Sequence, residues 1–296
     1  MSVVRNFWAD RRGKLALGAA VLAVLLIGVA VAYRSGQLTK TPEEILSGQQ
    51  PHRAVYDLSL GRMKSGSDVQ DVSGRMVVEW RGGPACDGYS SEQRIVTRVA
   101  DADGSMVSDD TRVTTWESAD GKEFHFDRSE YVNGELRKQE SGVARRSEDG
   151  KQVILEKDGA KPVSLPGEMM FPTAFNNRLA VAAEKDKNRM SALLFDGTED
   201  KASVTTAFIG KRREASPDAV KVKIENAQFG KPIKDKKAWP VRLSYFDHMD
   251  PDGMPSFQMG FLLFRNSVSS QLLLEYQDVT MKGDLIGIEY FKPGSC

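Results

Sequence analysis

From His52 onward, apolar and polar residues alternate. Ala54, Tyr56, Leu58 and Leu60 are interleaved with Val55, Asp57 and Ser59. A period of two places one face of a strand in a core and the other in water. The same signature predicts strands over 74–81, 89–100, 106–116, 123–132, 135–146 and 152–156. Asp103-Gly104, Asp120-Gly121, Asn133-Gly134, Asp149-Gly150 and Asp158-Gly159 punctuate them. Such dipeptides supply the positive φ angles of tight hairpins. Parallel βαβ units need helical crossovers of about ten residues or more between strands, and these intervals are too short for them. The pattern is an antiparallel meander.

One helix interrupts it. Phe175, Leu179, Ala182 and Ala183 recur at i, i+4, i+7 and i+8, with Thr173 placed to cap the run and Lys185 and Lys187 suited to its carboxyl end. Strand signal then returns over 191–195, 203–209, 220–226, 241–247, 256–265, 272–276 and 284–291. About fourteen strands and one substantial helix define a mainly β protein. Its single large antiparallel sheet must curl to cover its own apolar face. No fixed-period repeat points to a propeller or solenoid, and no polar linker divides residues 51–296, which read as one domain.

The amino end follows other rules. Arg5, Arg11, Arg12 and Lys14 precede an uncharged run from Leu15 to Tyr33. At helical rise this run is about 28 Å long, close to bilayer thickness. Cations before it place the amino terminus in the cytoplasm and send the remainder across. Two outcomes fit residues 1–33: a retained single-span anchor holding the protein in the inner membrane through residues 15–33, or a signal cleaved at Ala30-Val31-Ala32. Residues 34–50 form a polar linker, in which Thr41-Pro42-Glu43-Glu44 has the form of a capping box opening one or two helical turns.

Charge narrows the partners. Lys+Arg and Asp+Glu stand at 41 each in 296 residues, for a net charge of zero. A nucleic-acid binder needs a surplus of cations, so that class is set aside. With residues 1–33 at +3, the exported part carries −3 and has no basic face to attract anionic lipid. Cys86 and Cys296 are the two cysteines. In an exported chain such a pair reads as a disulfide rather than two free thiols, and no C-x-x-C suggests redox chemistry.

Candidate chemistry is sparse. His52, His125 and His248 each stand without a second histidine or a carboxylate at a spacing that would force both onto one face, so no metal site is expected. The segment 248–253 approaches a calcium loop, but His248 and Met259 occupy positions that need acids, and a hairpin turn fits better. Asp109 and Asp110 are neighbours on a strand and must point to opposite faces. No nucleophile elbow, phosphate loop or dinucleotide fingerprint is present, so neither catalytic residues nor a cofactor are expected. The aromatics Trp80, Trp116, Trp239, Tyr245 and Phe246 fall on strands and read as packing residues.

Several short segments nevertheless form a recognisable series. Pro51 to Leu60 (PHRAVYDLSL), Gly74-Arg75-Met76, Cys86-Asp87-Gly88-Tyr89, Phe171-Pro172-Thr173, Phe195 to Glu199 (FDGTE), Trp239 to Arg242 (WPVR), Ser244 to Asp247 (SYFD) and the terminal Ser295-Cys296 occur in order. Over about residues 50–296 the chain resembles the EipB-like cell-envelope integrity family of the α-proteobacterial periplasm. It departs from that family at Phe175, where histidine is common, and in the more acidic, proline-rich segment Asp250–Pro255. The resemblance implies a β-spiral, one coiled antiparallel sheet with helices laid on it, and a disulfide joining Cys86 to Cys296. It also implies a non-enzymatic periplasmic role in envelope integrity through an envelope protein or lipid partner. A carrier of lipid or lipoprotein acyl chains is the alternative, and an envelope hydrolase a third reading. The hydrolase would require two carboxylates converging on a concave wall.

Overall fold

The computed structural model describes residues 46 and 48–296, apart from 64–66, 84, 230–232, 234–236, 248–249, 251–252, 278 and 293. The apolar run 15–33 and the capping box Thr41–Glu44 lie outside the described residues. Among those described, no helix is long and apolar enough to cross a membrane.

The meander forms as the turn signals require. β1 (His52–Met63), β2 (Val69–Gly82), β3 (Gly88–Asp101), β4 (Met106–Ser118), β5 (Glu123–Val132), β6 (Glu135–Arg146), β7 (Gln152–Lys157) and β8 (Val163–Pro166) pair in succession, each antiparallel to the last. At Asn133-Gly134, φ is 53° and 83°, and Val132 faces Glu135 directly across a two-residue turn. Positive φ at both positions matches the turn to the strand twist.

A helix, α1 (Pro172–Glu184), then leads to β9 (Arg189–Leu194), β10 (Ser203–Ile209), β11 (Arg213–Glu214), β12 (Lys223–Glu225), β13 (Lys237–Asp247), β14 (Phe257–Phe264), β15 (Ser269–Glu275) and β16 (Val279–Tyr290). One sheet runs β8-β7-β6-β5-β4-β3-β2-β1-β16-β15-β14-β13-β10-β9. The first and last strands of the described chain are thus neighbours at its centre, with His52 opposite Tyr290. β11 pairs with β13, and β12 joins β16 in parallel, a departure from the otherwise antiparallel ladder.

The sheet curls without closing. Its two extreme strands, β8 and β9, are joined through α1. Between β8 and α1, Met170 makes an isolated bridge to Leu194: its N–H reaches Leu193 O at 2.7 Å, and its carbonyl accepts Phe195 N–H at 3.0 Å. A shared core fixes the approach. Phe124, Phe126, Val153, Leu155 and Leu165 from one end pack with Phe171, Phe195 and Ala202 from the other. Phe124 lies 5.2 Å from Phe171 and 6.0 Å from Phe195 between ring centroids. A second cluster seats Phe175, Leu179, Ala182 and Ala183 of α1 on Met190, Ala207, Val241, Leu243 and Leu263. A third unites Tyr56, Ile288, Tyr290, Leu272 and Phe264 where β1 meets β16.

Three expectations change. Phe171, not Thr173, is the N-cap residue of α1, and Pro172 opens the helix, where its missing N–H costs nothing. Phe171 has no capping side chain, so Glu117 of β4 supplies the acceptors: Oε2 takes Thr173 N–H at 2.6 Å and Oε1 takes Ala174 N–H at 3.0 Å. Glu117 is buried, which pushes its pKa above the usual carboxylate value, and the two N–H bonds pull it part of the way back. The strand expected over 220–226 shrinks to β12, because Pro217 and the Ser216 hydroxyl start a 3₁₀ turn at Pro217–Val220. β8 and β11, too short to show a period, add two strands that the pattern does not predict.

Cys86 and Cys296 are bonded, with Cα atoms 5.7 Å apart across a sequence separation of 210. The tail is also held by Gly82 N–H on Ser295 O at 3.3 Å, Phe291 N–H on Pro51 O at 2.9 Å and Arg81 stacked 3.9 Å over the Phe291 ring. Together these contacts replace a fraying terminus with a tether.

Candidate functional site

Register fixes which side chains face inward. Phe124 and Phe126 belong to the core and lie opposite Glu117 and Thr115 of β4. Directly opposed residues share a face. Asp109, Thr111 and Val113 of β4 and Arg128, Glu130 and Val132 of β5 therefore line the same inner wall, with Thr111 opposite Glu130 and Val113 opposite Arg128. Asp110 points outward, where Arg94 and Arg112 each donate to it at 2.8 Å.

The neighbouring acids diverge in chemistry as in direction. Hydrogen bonding to Arg94 brings Asp110 down to about 2, against burial. Burial raises Asp109, opposed by the Thr111 hydroxyl and reinforced by the charge of Glu130. Glu130 forms an ion pair with Arg128, whose guanidinium also donates to Thr198 O at 3.3 Å.

Facing this wall is a second one from the other arm of the sheet. Thr205 of β10, Tyr245 of β13 and Phe257 of β14 occupy one row, and the row below it is Ala207, Leu243, Met259 and Leu274. Ala207 and Leu243 pack against α1, so this face also looks inward. Tyr276, just past β15, extends the row: Tyr245 and Phe257 have centroids 5.6 Å apart, Phe257 and Tyr276 5.0 Å. Burial raises the Tyr276 phenol to about 12, with the charge of Asp109 adding to it. Tyr245 is likewise raised, by burial and then by Asp196. Arg128 of the first wall reaches the β9–β10 connection at Thr198 O, two residues from Asp196, so the two arms approach each other there. Asp109, Arg128, Glu130, Tyr245, Phe257 and Tyr276 all keep part of their surface open to solvent. The result is a recess with an aromatic row on one side and two carboxylates and a guanidinium on the other.

Strand alternation separates Asp109 from Asp110, and the acid that shares the face of Asp109 is Glu130. Counting outward from the Asp120-Gly121 turn would have found it. Tyr245, read as packing, does pack, but it also forms part of an accessible wall.

The histidines are dispersed. His52 is buried, with Nδ1 2.7 Å from Gln50 O. His125 corrects the spacing argument: Glu123, two residues earlier, shares its face, and Nε2 lies 2.7 Å from Glu123 Oε1. Residues i and i+2 of a strand face the same way. Glu123 also pairs with Arg145 at 3.1 Å, so the group is an outward ion-pair ladder. His248 lies outside the described residues, although Gly253 N–H on Asp250 O at 3.2 Å fits a turn in its segment. Among the described residues no three His, Cys, Asp or Glu side chains converge on a metal position.

Comparison with known proteins bears on nearly all of the described chain. A family model described as EipB-like matches residues 45–292. The protein named cell envelope integrity protein EipB, from Brucella abortus, is 38% identical over 248 residues, which cover 82% of this chain and 85% of that one. A crystal structure from Brucella abortus, titled as a β-barrel-like protein of a domain of unknown function, matches with a TM-score of 0.75 and 32% identity. It covers 82% of this chain and 99% of the other.

Proposed function

Because this chain belongs to the EipB-like family, we propose that it maintains the integrity of the cell envelope as a non-enzymatic periplasmic protein, engaging a partner or ligand on the inner wall of its curled sheet. The observation that carries the envelope role is relatedness to EipB along nearly all of the described chain. The recess supports the binding role: it holds accessible aromatic rings and charged groups where a purely structural interior would hold aliphatic ones. In the periplasmic reading, residues 1–33 deliver the domain, retained as an anchor or removed as a signal.

Deletion of the gene tests the proposal. The mutant should become sensitive to detergents and cell-wall antibiotics and recover when the chain is restored. An unchanged sensitivity profile counts against it. Fractionating cells that carry the full chain separates a membrane-held protein of full mass from a soluble one shortened near Ala32.

A further inference from the structure

We propose that the recess between Tyr245, Phe257 and Tyr276 and the Asp109–Arg128–Glu130 wall is a saccharide subsite, in which pyranose C–H faces lie on the aromatic row and ring hydroxyls bond to the charged wall. The inference rests on the reading of this wall as the binding face and adds the class of ligand.

Both walls must be satisfied at once. Successive rings are tilted by 39° and 42°, so the aromatic row bends and each ring keeps an open portion. Opposite it stand acceptors on Asp109 and Glu130 and donors on Arg128. A hydroxyl both donates and accepts. A sugar ring combines an apolar face with a rim of such hydroxyls, and so matches an aromatic surface facing a mixed polar one. An acyl chain would strip water from three charged groups and give nothing back. A polyanion would meet Asp109, Glu130 and Asp196, whose charges already act on this recess.

A second observation points the same way. Arg128 Nε and Thr205 Oγ1 are enclosed atoms with no hydrogen-bond partner among the described residues. Thr205 is fully buried and stands directly opposite Tyr245. Buried polar atoms are normally paired, so unpaired ones beside an accessible recess mark where a ligand or its bound water completes the bonding.

The experiment is ligand-observed saturation-transfer NMR of the full chain with N-acetylchitotetraose, and separately with maltotetraose. Transfer is expected to one or both sugars, strongest at ring C–H protons. Tyr276→Ala should weaken binding about tenfold, Tyr276→Phe should keep it, and Glu130→Gln should weaken it about threefold. Arg94→Ala, on the outer face, should change nothing. No transfer from either sugar overturns the proposal, as does binding indifferent to both Tyr276→Ala and Glu130→Gln. If Tyr276→Ala unfolds, Tyr276→Phe and Glu130→Gln decide. Wall glycan and glycolipid headgroups share this chemistry: competition by soluble wall fragments assigns the first, and competition only by glycolipid vesicles the second. Deletion phenotypes stand apart, since an unaltered mutant would count against the envelope role and leave the titration intact.

Discussion

Oε2 of Glu117 accepts the backbone N–H of Thr173 at 2.6 Å, joining β4 to the first turn of α1 across 56 residues of sequence. Helix starts leave several N–H groups without partners, and here the sheet supplies the missing acceptor. Glu117→Ala should therefore cost about 2 kcal/mol, and Glu117→Gln about half of that, because an amide offers one acceptor where the carboxylate offers two. Urea titration followed by circular dichroism checks the order. Equal stability for both variants and the parent would remove the capping role.

Asp109 and Asp110 should respond to amidation in opposite ways. Asp110 titrates near 2 in the folded protein and near its ordinary 3.8 when unfolded. Its stabilisation is thus complete above about pH 4 and lost as pH falls through 2. The arginines beside it are half exposed, which screens the contribution to about 1 kcal/mol. Asp110→Asn should lower stability at neutral pH and flatten the acid limb. Asp109→Asn removes a charge that burial and Glu130 disfavour, and should raise stability at neutral pH. Unfolding midpoints measured from about pH 2 to pH 7 test both signs.

His52 predicts a second acid effect at milder pH. Burial lowers its pKa below 6.5, so the unfolded chain takes up a proton before the folded one does. Stability from this residue is full above 6.5 and declines as pH falls below it. A neutral replacement such as His52→Gln should flatten the melting temperature between about pH 4 and pH 6.5. A parent protein already flat over that interval would refute the assignment.

Cys296→Ser should leave the sheet folded and lower its melting temperature. The bond closes a loop of 210 residues, for which chain entropy predicts up to about 5 kcal/mol. Intact mass after alkylation should shift by two alkyl groups only when reductant is present. Alkylation of the native protein without reductant would contradict the bond.

How far the fold could be read from sequence depended on range. The hairpins at Asp120-Gly121 and Asn133-Gly134 were visible because turn chemistry and strand period are both local. The β1–β16 pairing was not, since nothing in residues 52–63 specifies a partner more than two hundred residues later. The same limit hid the recess. Glu130 could be placed on the face of Asp109 from the local β4–β5 register, but the aromatic row of Tyr245, Phe257 and Tyr276 is brought to the inner face only through the pairing and curl of the second arm. Thr173 looked like a cap because its side chain suits one, yet Pro172 moved the start of the helix and Glu117 took over the bonding. Cys86 and Cys296 were legible as a pair from their number and the expected export, without geometry.

The position of β1 beside β16 governs how the polypeptide matures. Strands β1 to β8 can assemble hairpin by hairpin as they are synthesised. The inner flank of β1, however, waits for the last strand to be made. Until then a twelve-residue ribbon presents its unpaired amides and carbonyls to any passing chain. Premature termination anywhere before residue 279 would leave that flank permanently bare, so incomplete products should self-associate rather than persist as smaller soluble sheets.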